Sequence, residues 1–345
     1  MNEKDAMSLF ESDDIFGLGK MASYVAGKKN GKKAYFIRNI HVNPTNICVN
    51  RCRFCAFSRS KGQEGAFELT IPDIIKKLRA QNPKAGPAVS EVHIVGGLHP
   101  EWTFEHYLEI ISSIRQKFPK LHIKAFTAVE IDYMAKISGL GLMETLKALK
   151  KSGLGSMPGG GAEILAGDIR GRLCPEKISG ERWLEVMEAA HAAGIRTNAT
   201  MLYGHIENYG HRVDHLMRLR KLQDRTEGFQ AFIPLAYHPK NTQMQGGYTS
   251  GIDDLKTIAV SRLVLDNFDH IKAYWIMLGE KISQLALKFG ADDIDGTIIE
   301  EKITHSAGAM TGEHLTAEQL KNMIVKAGKQ PVERDSFYRK VKDVS

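Results

Sequence analysis

Apolar positions along this chain fall into two alternating patterns. Short β-branched runs are each followed by a longer stretch in which apolar residues return every three or four positions, the mark of a strand followed by an amphipathic helix. Strands are predicted at residues 39–42, 91–95, 122–127, 155–164, 196–203, 230–237, 271–278 and around 298–299. Between them lie helices. The first opens at Thr70, with Pro72 in its first turn and Ile74, Ile75 and Leu78 as its stripe. Others span 103–118, 129–137, 142–151, 181–193, 211–223, 253–267, 280–289 and 317–327, several stopped by a glycine such as Gly153, Gly194 or Gly290.

Eight strand–helix units argue for an α/β fold of the (β/α)8 TIM-type barrel class rather than an open doubly wound sheet. Residues 1–39 read as an N-terminal helical extension, with Ser12, Asp13 and Asp14 at a helix start. Residues 40–310 form the barrel, and 311–345 form a C-terminal helical extension packed on it. No repeat, low-complexity tract or long linker divides the chain.

Composition narrows the picture modestly. With 345 residues, 43% hydrophobic and 25% charged, this is an ordinary globular enzyme composition. No membrane span is readable. The start Met1-Asn2-Glu3-Lys4-Asp5 has no apolar h-region, so a cytoplasmic location is expected. The net charge of +7 comes from scattered Lys and Arg, concentrated only at Lys28-Lys29, Lys32-Lys33 and Arg218 to Lys221. No aromatic-interleaved basic stripe accompanies them, so no nucleic-acid partner and no membrane partner is expected. An anionic small substrate suits the positive field equally well.

The chemistry concentrates just after the first barrel strand. Cys48, Cys52 and Cys55 fall within eight residues as C-x3-C-x2-C, and Cys174 is the one other cysteine. Three thiolates on one loop can hold three irons of a [4Fe-4S] cluster and leave the fourth open to a small chelating ligand. The competing readings are a disulfide framework, which suits short secreted chains, and a zinc loop completed by His41. Cys174 reads as a small apolar residue.

In a barrel the ends of the other strands become site candidates. Gly96-Gly97 follows the second strand, where backbone could approach a ligand and carbonyls could receive an ammonium. Residues 158–163 (PGGGAE) lack a P-loop lysine, but their glycines make room for a bulky ligand and Glu163 offers acceptor oxygens. Residues 197–207 are unusually polar for a buried strand and end in Tyr203, His205 and Glu207. That places His205 in or beside a pocket, with His238 after the sixth strand as its echo. His211 and His215 share a helix face, but without an H-E-x-x-H arrangement they read as a solvated face.

The cysteine triplet, with Phe54 just before its third member, resembles the cluster motif of radical S-adenosylmethionine (SAM) enzymes. Residues 93–100 (HIVGGLHP), 124–131 (KAFTAVEI), 158–163, 197–207 and 291–297 (ADDIDGT) resemble aminofutalosine synthases within that superfamily, over nearly the whole chain from Ile40 to Tyr338. The resemblance implies one [4Fe-4S] cluster on Cys48, Cys52 and Cys55, with SAM on the open iron and consumed as co-substrate. It implies SAM contacts at Phe54, Gly96, Gly97, Glu163 and Asn198, and a catalytic place for His205. The implied reaction adds the 5'-deoxyadenosyl radical to 3-[(1-carboxyvinyl)oxy]benzoate, with rearrangement and loss of a carboxylate, giving 6-amino-6-deoxyfutalosine and methionine in menaquinone biosynthesis. A reducing donor such as flavodoxin or ferredoxin is the implied partner. Lys124, Arg196 and Lys272 are candidates for holding the two substrate carboxylates if their strand faces point inward. Related radical SAM enzymes that cyclise dehypoxanthine futalosine or build deazaflavins share the loop and the barrel. A metal-stabilised RNA-binding protein is the reading from another class.

Overall fold

The computed structural model describes residues 1–80, 89–244 and 246–341. Two helices, α1 (Glu3–Glu11) and α2 (Ile15–Asn30), lead into strands β1 (Lys33–Ile37) and β2 (Asn39–Val42). Then come α3 (Ile71–Ala80), β3 (Glu91–Ile94), α4 (Phe104–Lys117), β4 (His122–Ala125), α5 (Ala128–Ser138), α6 (Leu142–Ser152) and the two-residue β5 (Ser156–Met157). The chain continues through α7 (Gly167–Leu173), α8 (Gly180–Ala192), β6 (Arg196–Tyr203), α9 (Tyr209–Thr226), β7 (Phe229–Ala236), α10 (Gly251–Val264) and β8 (His270–Ile271). It closes with α11 (Trp275–Ala286), β9 (Asp293–Gly296), α12 (Ile303–Ser306), α13 (Ala317–Lys326) and β10 (Gln330–Glu333).

Strands β2 to β8 pair in sequence order, all parallel, into one seven-stranded sheet. Its two edges meet the segment around β9 through single bridges, Lys272 to Asp293 and Ile40 to Ile299. The eighth barrel place is therefore filled by this segment, without a full ladder. The strands are buried nearly end to end because helices cover their outer face and the barrel encloses the inner one. Ile74, Ile75 and Leu78 of α3 turn inward, and Thr70 caps that helix through Asp73.

Several expectations shift. The extensions are not purely helical: β1 lies between β10 and β9 in a second parallel sheet. The expected fourth strand shrinks to β5, since residues 158–163 leave the ladder. The expected strand over 271–278 ends at Ile271, and Trp275 already opens a helix. The last strand falls at 293–296 rather than 298–299. The final four residues of the expected C-terminal extension lie outside the described residues. Among the described residues no helix is long and apolar enough to cross a membrane.

Candidate functional site

A cavity of about 320 Å³ opens inside the barrel beneath the cysteine loop, within the size range of small-molecule sites. The loop leaves β2 and is tied down by its own polar side chains. Thr45 Oγ donates to Phe67 O at 2.8 Å and accepts from Ile47 N at 3.0 Å, while Asn46 bonds both Gly65 O and Phe67 N. Cys48 N donates to Arg59 O and Val49 N to Leu98 O. The glycines after β3 complete this clamp. A Cβ on Gly97 would stand 2.2 Å from Ile47 O, and one on Gly96 3.0 Å from Thr45 O. Both glycines face the cavity, and both also let two backbones touch.

Cys48, Cys52 and Cys55 all line this cavity, and none is in a disulfide. Burial pushes the Cys48 thiol up and the Cys52 thiol up to about 12, so bound iron would have to displace their protons. Among the described residues no three His, Cys, Asp or Glu side chains converge on a point for a single metal ion. The zinc reading, with or without His41, therefore has no built site. A cluster takes one thiolate per iron, spread over the corners of the cube, and three free cysteines on one wall fit that demand. Cys174 is buried and does not line the cavity. Its segment nonetheless packs on the cysteine loop, Arg53 N donating to Leu173 O at 2.9 Å.

Phe54, Glu163 and Asn198 join the same wall. Glu163 holds a left-handed backbone, φ +46°, two residues after the last glycine of the run, a conformation tolerated where the surrounding contacts enforce it. Its Oε1 accepts from Lys177 Nζ at 2.6 Å, and that ammonium lies 5.0 Å from the centre of the Phe54 ring. Gly159 lets the 158–161 turn lie against β6, where a Cβ would come within 2.7 Å of Ala199 backbone. Thr200 Oγ donates to Gly159 O at 2.7 Å from the other side.

His205 does not belong to this wall. Its Nε2 lies 3.0 Å from Leu202 O, and its Nδ1 lies 2.9 Å from Glu207 Oε2, with the side chain fully covered. Glu207 in turn bonds Arg212, which reaches Asp253. The polar end of β6 that marked a pocket in the sequence is thus an ion-paired corner behind the pocket. His238, its echo, does line the cavity, with Nε2 3.0 Å from Met277 O. His215 is consumed by Leu165 N and Thr200 O, and His211 sits beside Asp168 near the surface.

Beneath the cysteines lies a tier of charges. Lys124 on β4 pairs with Glu91 at 2.7 Å, and Lys272, just past β8, pairs with Asp295 at 3.4 Å. All four line the cavity. Arg196 is exposed at the start of β6, bonded to Glu227 O, and points away. The sequence reading passed over four acids here: Glu91, Glu130, Asp295 and Glu301. Glu130 had a signal, since Thr127-x-x-Glu130 is a capping box at the start of α5. Its Oε1 also accepts from Gly96 N at 3.1 Å, linking the ends of β3 and β4. Burial pushes its carboxyl up to about 7 against the hydrogen bonds from Thr127 and Gly96. The other three have no local pattern and are visible only once strand register is known.

A parallel barrel whose first strand delivers three free cysteines to the mouth of a cavity is the architecture of the radical SAM class. Comparison with known proteins agrees. The radical SAM superfamily model matches residues 42–219, and the model for the CofH/MqnC C-terminal region matches 226–345. Aminodeoxyfutalosine synthase of Thermus thermophilus is 44% identical, over 98% of this chain and 92% of that protein. The 5-amino-6-(D-ribitylamino)uracil–L-tyrosine 4-hydroxyphenyl transferase of Methanocaldococcus jannaschii is 41% identical, over 98% and 96%. The solved structure of methylornithine synthase shares the fold, with a TM-score of 0.76 at 16% identity over 96% of this chain and 94% of that one. The chain belongs to the radical SAM superfamily, in the family of the aminodeoxyfutalosine synthases and their CofH/MqnC-related neighbours. Membership makes it an enzyme and implies a [4Fe-4S] cluster and SAM.

Proposed function

We propose that this enzyme is an aminodeoxyfutalosine synthase, joining the 5'-deoxyadenosyl part of SAM to 3-[(1-carboxyvinyl)oxy]benzoate to give 6-amino-6-deoxyfutalosine and methionine, with loss of one carboxylate. When bound, the cluster supplies the electron that cleaves SAM to methionine and the 5'-deoxyadenosyl radical. Cys48, Cys52 and Cys55 hold it. Gly96 and Gly97 offer backbone carbonyls to the amino end of SAM, with Phe54, Glu163 and Asn198 around the rest. A flavodoxin or ferredoxin in the cytoplasm serves as the donor.

The observation that carries this reading is a pair of neighbouring buried lysines that line the cavity below the cysteines, Lys124 and Lys272. Together they put positive charge in the lower tier of the cavity, where a carboxylate of the substrate would be received. Apolar side chains of the cavity wall, Leu202, Ile233 and Leu235, keep water and stray hydrogen donors from the reacting alkene. Holding that alkene beside SAM C5', at roughly 3–3.5 Å, is the main contribution the protein can make.

One feature supports a second reading. Each cavity lysine already faces a carboxylate of its own, Lys177 included. Zwitterionic tyrosine with uncharged 5-amino-6-(D-ribitylamino)uracil would need no further cation. Incubating the reconstituted, reduced protein with SAM and each substrate set, followed by mass spectrometry, decides between them. The synthase reading expects an adenosylated adduct from the enol ether. Release of 5'-deoxyadenosine without adduct sinks it, and a tyrosine-derived uracil product establishes the second.

A further inference from the structure

Two imidazoles sit side by side in a part of the cavity that the reaction above leaves without a role. His41 on β2 and His93 on β3 are register partners, with ring centres 4.5 Å apart and planes tilted by 55°. Both line the cavity, and neither ring makes a hydrogen bond to a described residue. The next position in the row is Lys124 on β4, register partner of His93 and held by Glu91. His93 precedes Gly96 by three residues, roughly 10 Å of strand. The row therefore lies one tier below the loops that meet the cluster and SAM.

Burial lowers the proton affinity of both rings, and the Lys124 ammonium acts the same way on each. Glu91 and Asp295 oppose this for both, and Glu301 also for His41, without reversing it. Each ring is thus neutral and presents one N–H donor and one lone pair. Two adjacent N–H donors suit an acceptor-only group with two oxygens, and the ring faces offer flat contact to an aromatic partner.

We propose that His41 and His93 receive a carboxylate borne on an aromatic ring, one N–H to each oxygen, with the Lys124 ammonium behind them. The inference rests on the synthase reading and deepens it. The reacting alkene has to lie beside SAM, so the group that reaches the lower tier is the ring carboxylate and not the enol-ether one.

The test uses the full-length, reconstituted protein with SAM bound and reads binding by calorimetry. The probes are 3-hydroxybenzoate and its uncharged counterpart 3-hydroxybenzamide. Wild type is expected to prefer the benzoate by about tenfold, as charge-assisted hydrogen bonds would give. His41→Phe and His93→Phe should each bring the two probes to within about threefold, while His41→Gln and His93→Gln, which keep a donor, retain most of the preference. SAM affinity should not move. If a Phe variant fails to fold, 15N signals of the wild-type imidazoles give the same reading: two rings should respond to the benzoate and not to the amide. Unchanged benzoate binding in folded Phe variants, or unmoved imidazole signals, overturns the histidine pair. An enol-ether adduct formed alongside that result leaves the synthase reading standing. A wild type that shows no preference for the benzoate and makes the tyrosine-derived product overturns both.

Discussion

Glu163 and Lys177 form a 2.6 Å ion pair directly behind the Phe54 ring, tying the glycine-rich turn after β5 to the cysteine loop through one ammonium group. Both side chains are largely covered, at 9% and 14% exposure, so neither charge is easily left alone. Glu163→Gln keeps the shape and removes the charge. Stability should fall by about 3 kcal/mol, the cost of breaking a buried pair, and SAM affinity by about tenfold. Denaturant unfolding and a SAM titration measure the two separately. SAM affinity unchanged in the folded variant would remove Glu163 from the SAM site.

Gly97→Ala tests the clamp on the cysteine loop. The new methyl group would meet Ile47 O at 2.2 Å and the Cys48 Cβ at 3.0 Å, and backbone cannot yield as a side-chain tip can. The loop must move, so iron and sulfide per chain should drop severalfold while far-ultraviolet circular dichroism stays close to wild type. A fully loaded alanine variant would show that the contact is not needed to place the cysteines.

Serine in place of Cys48, Cys52 or Cys55 should abolish the visible absorbance of the anaerobically purified protein. Cys174→Ser should keep it. Cys174 lies under the same loop, close enough for its sulfur to influence the Cys52 thiol, so the comparison separates a cluster ligand from a packing neighbour. Loss of iron in the Cys174 variant would give the cluster a fourth thiolate and close the open corner.

Glu130 makes stability fall as pH rises. Its carboxyl titrates near 7 in the fold against an ordinary 4.5, so the folded chain binds the extra proton between those values. Stability from this group is greatest below pH 4.5 and is lost progressively up to about pH 7, by about 3 kcal/mol in all. Glu130→Gln should lack that component when unfolding free energies are compared across the window. An identical slope in variant and wild type would mean that the carboxyl binds its proton equally well folded and unfolded.

Lys124 and Glu91 are both almost wholly buried, so removing one charge should cost more than removing both. Lys124→Met is expected to lower stability by about 3–5 kcal/mol, and adding Glu91→Gln should recover a good part of it. The double variant also isolates function, since it lacks the cation while remaining folded. Its KM for the enol-ether benzoate should rise at least about tenfold.

The order of elements was readable because it depends on local periodicity, and the ladder from β2 to β8 follows that order. Where glycine replaced side chains the reading overran. Residues 158–161 looked like strand, yet they leave the ladder because Gly159 and Gly161 let the chain turn against β6 and Val129. The C-terminal strand β10 was missed for another reason. It is four residues long and is stabilised by β1, about three hundred positions away, a pairing that no local window contains.

The cysteine spacing, the glycines after the strands and the strand–helix alternation sufficed to place a loop with three cysteines at the mouth of a parallel barrel. Those features are local, and each is enforced by neighbours within one loop or one helical turn. Which polar side chains face the cavity was decided only by the tertiary structure. A shift of one residue in strand register sends every side chain to the opposite face. That turned Lys124, Lys272, His41 and His93 inward, and left Arg196 in solvent. It also placed His205 behind the wall, where Leu202 and Glu207 hold both of its nitrogens.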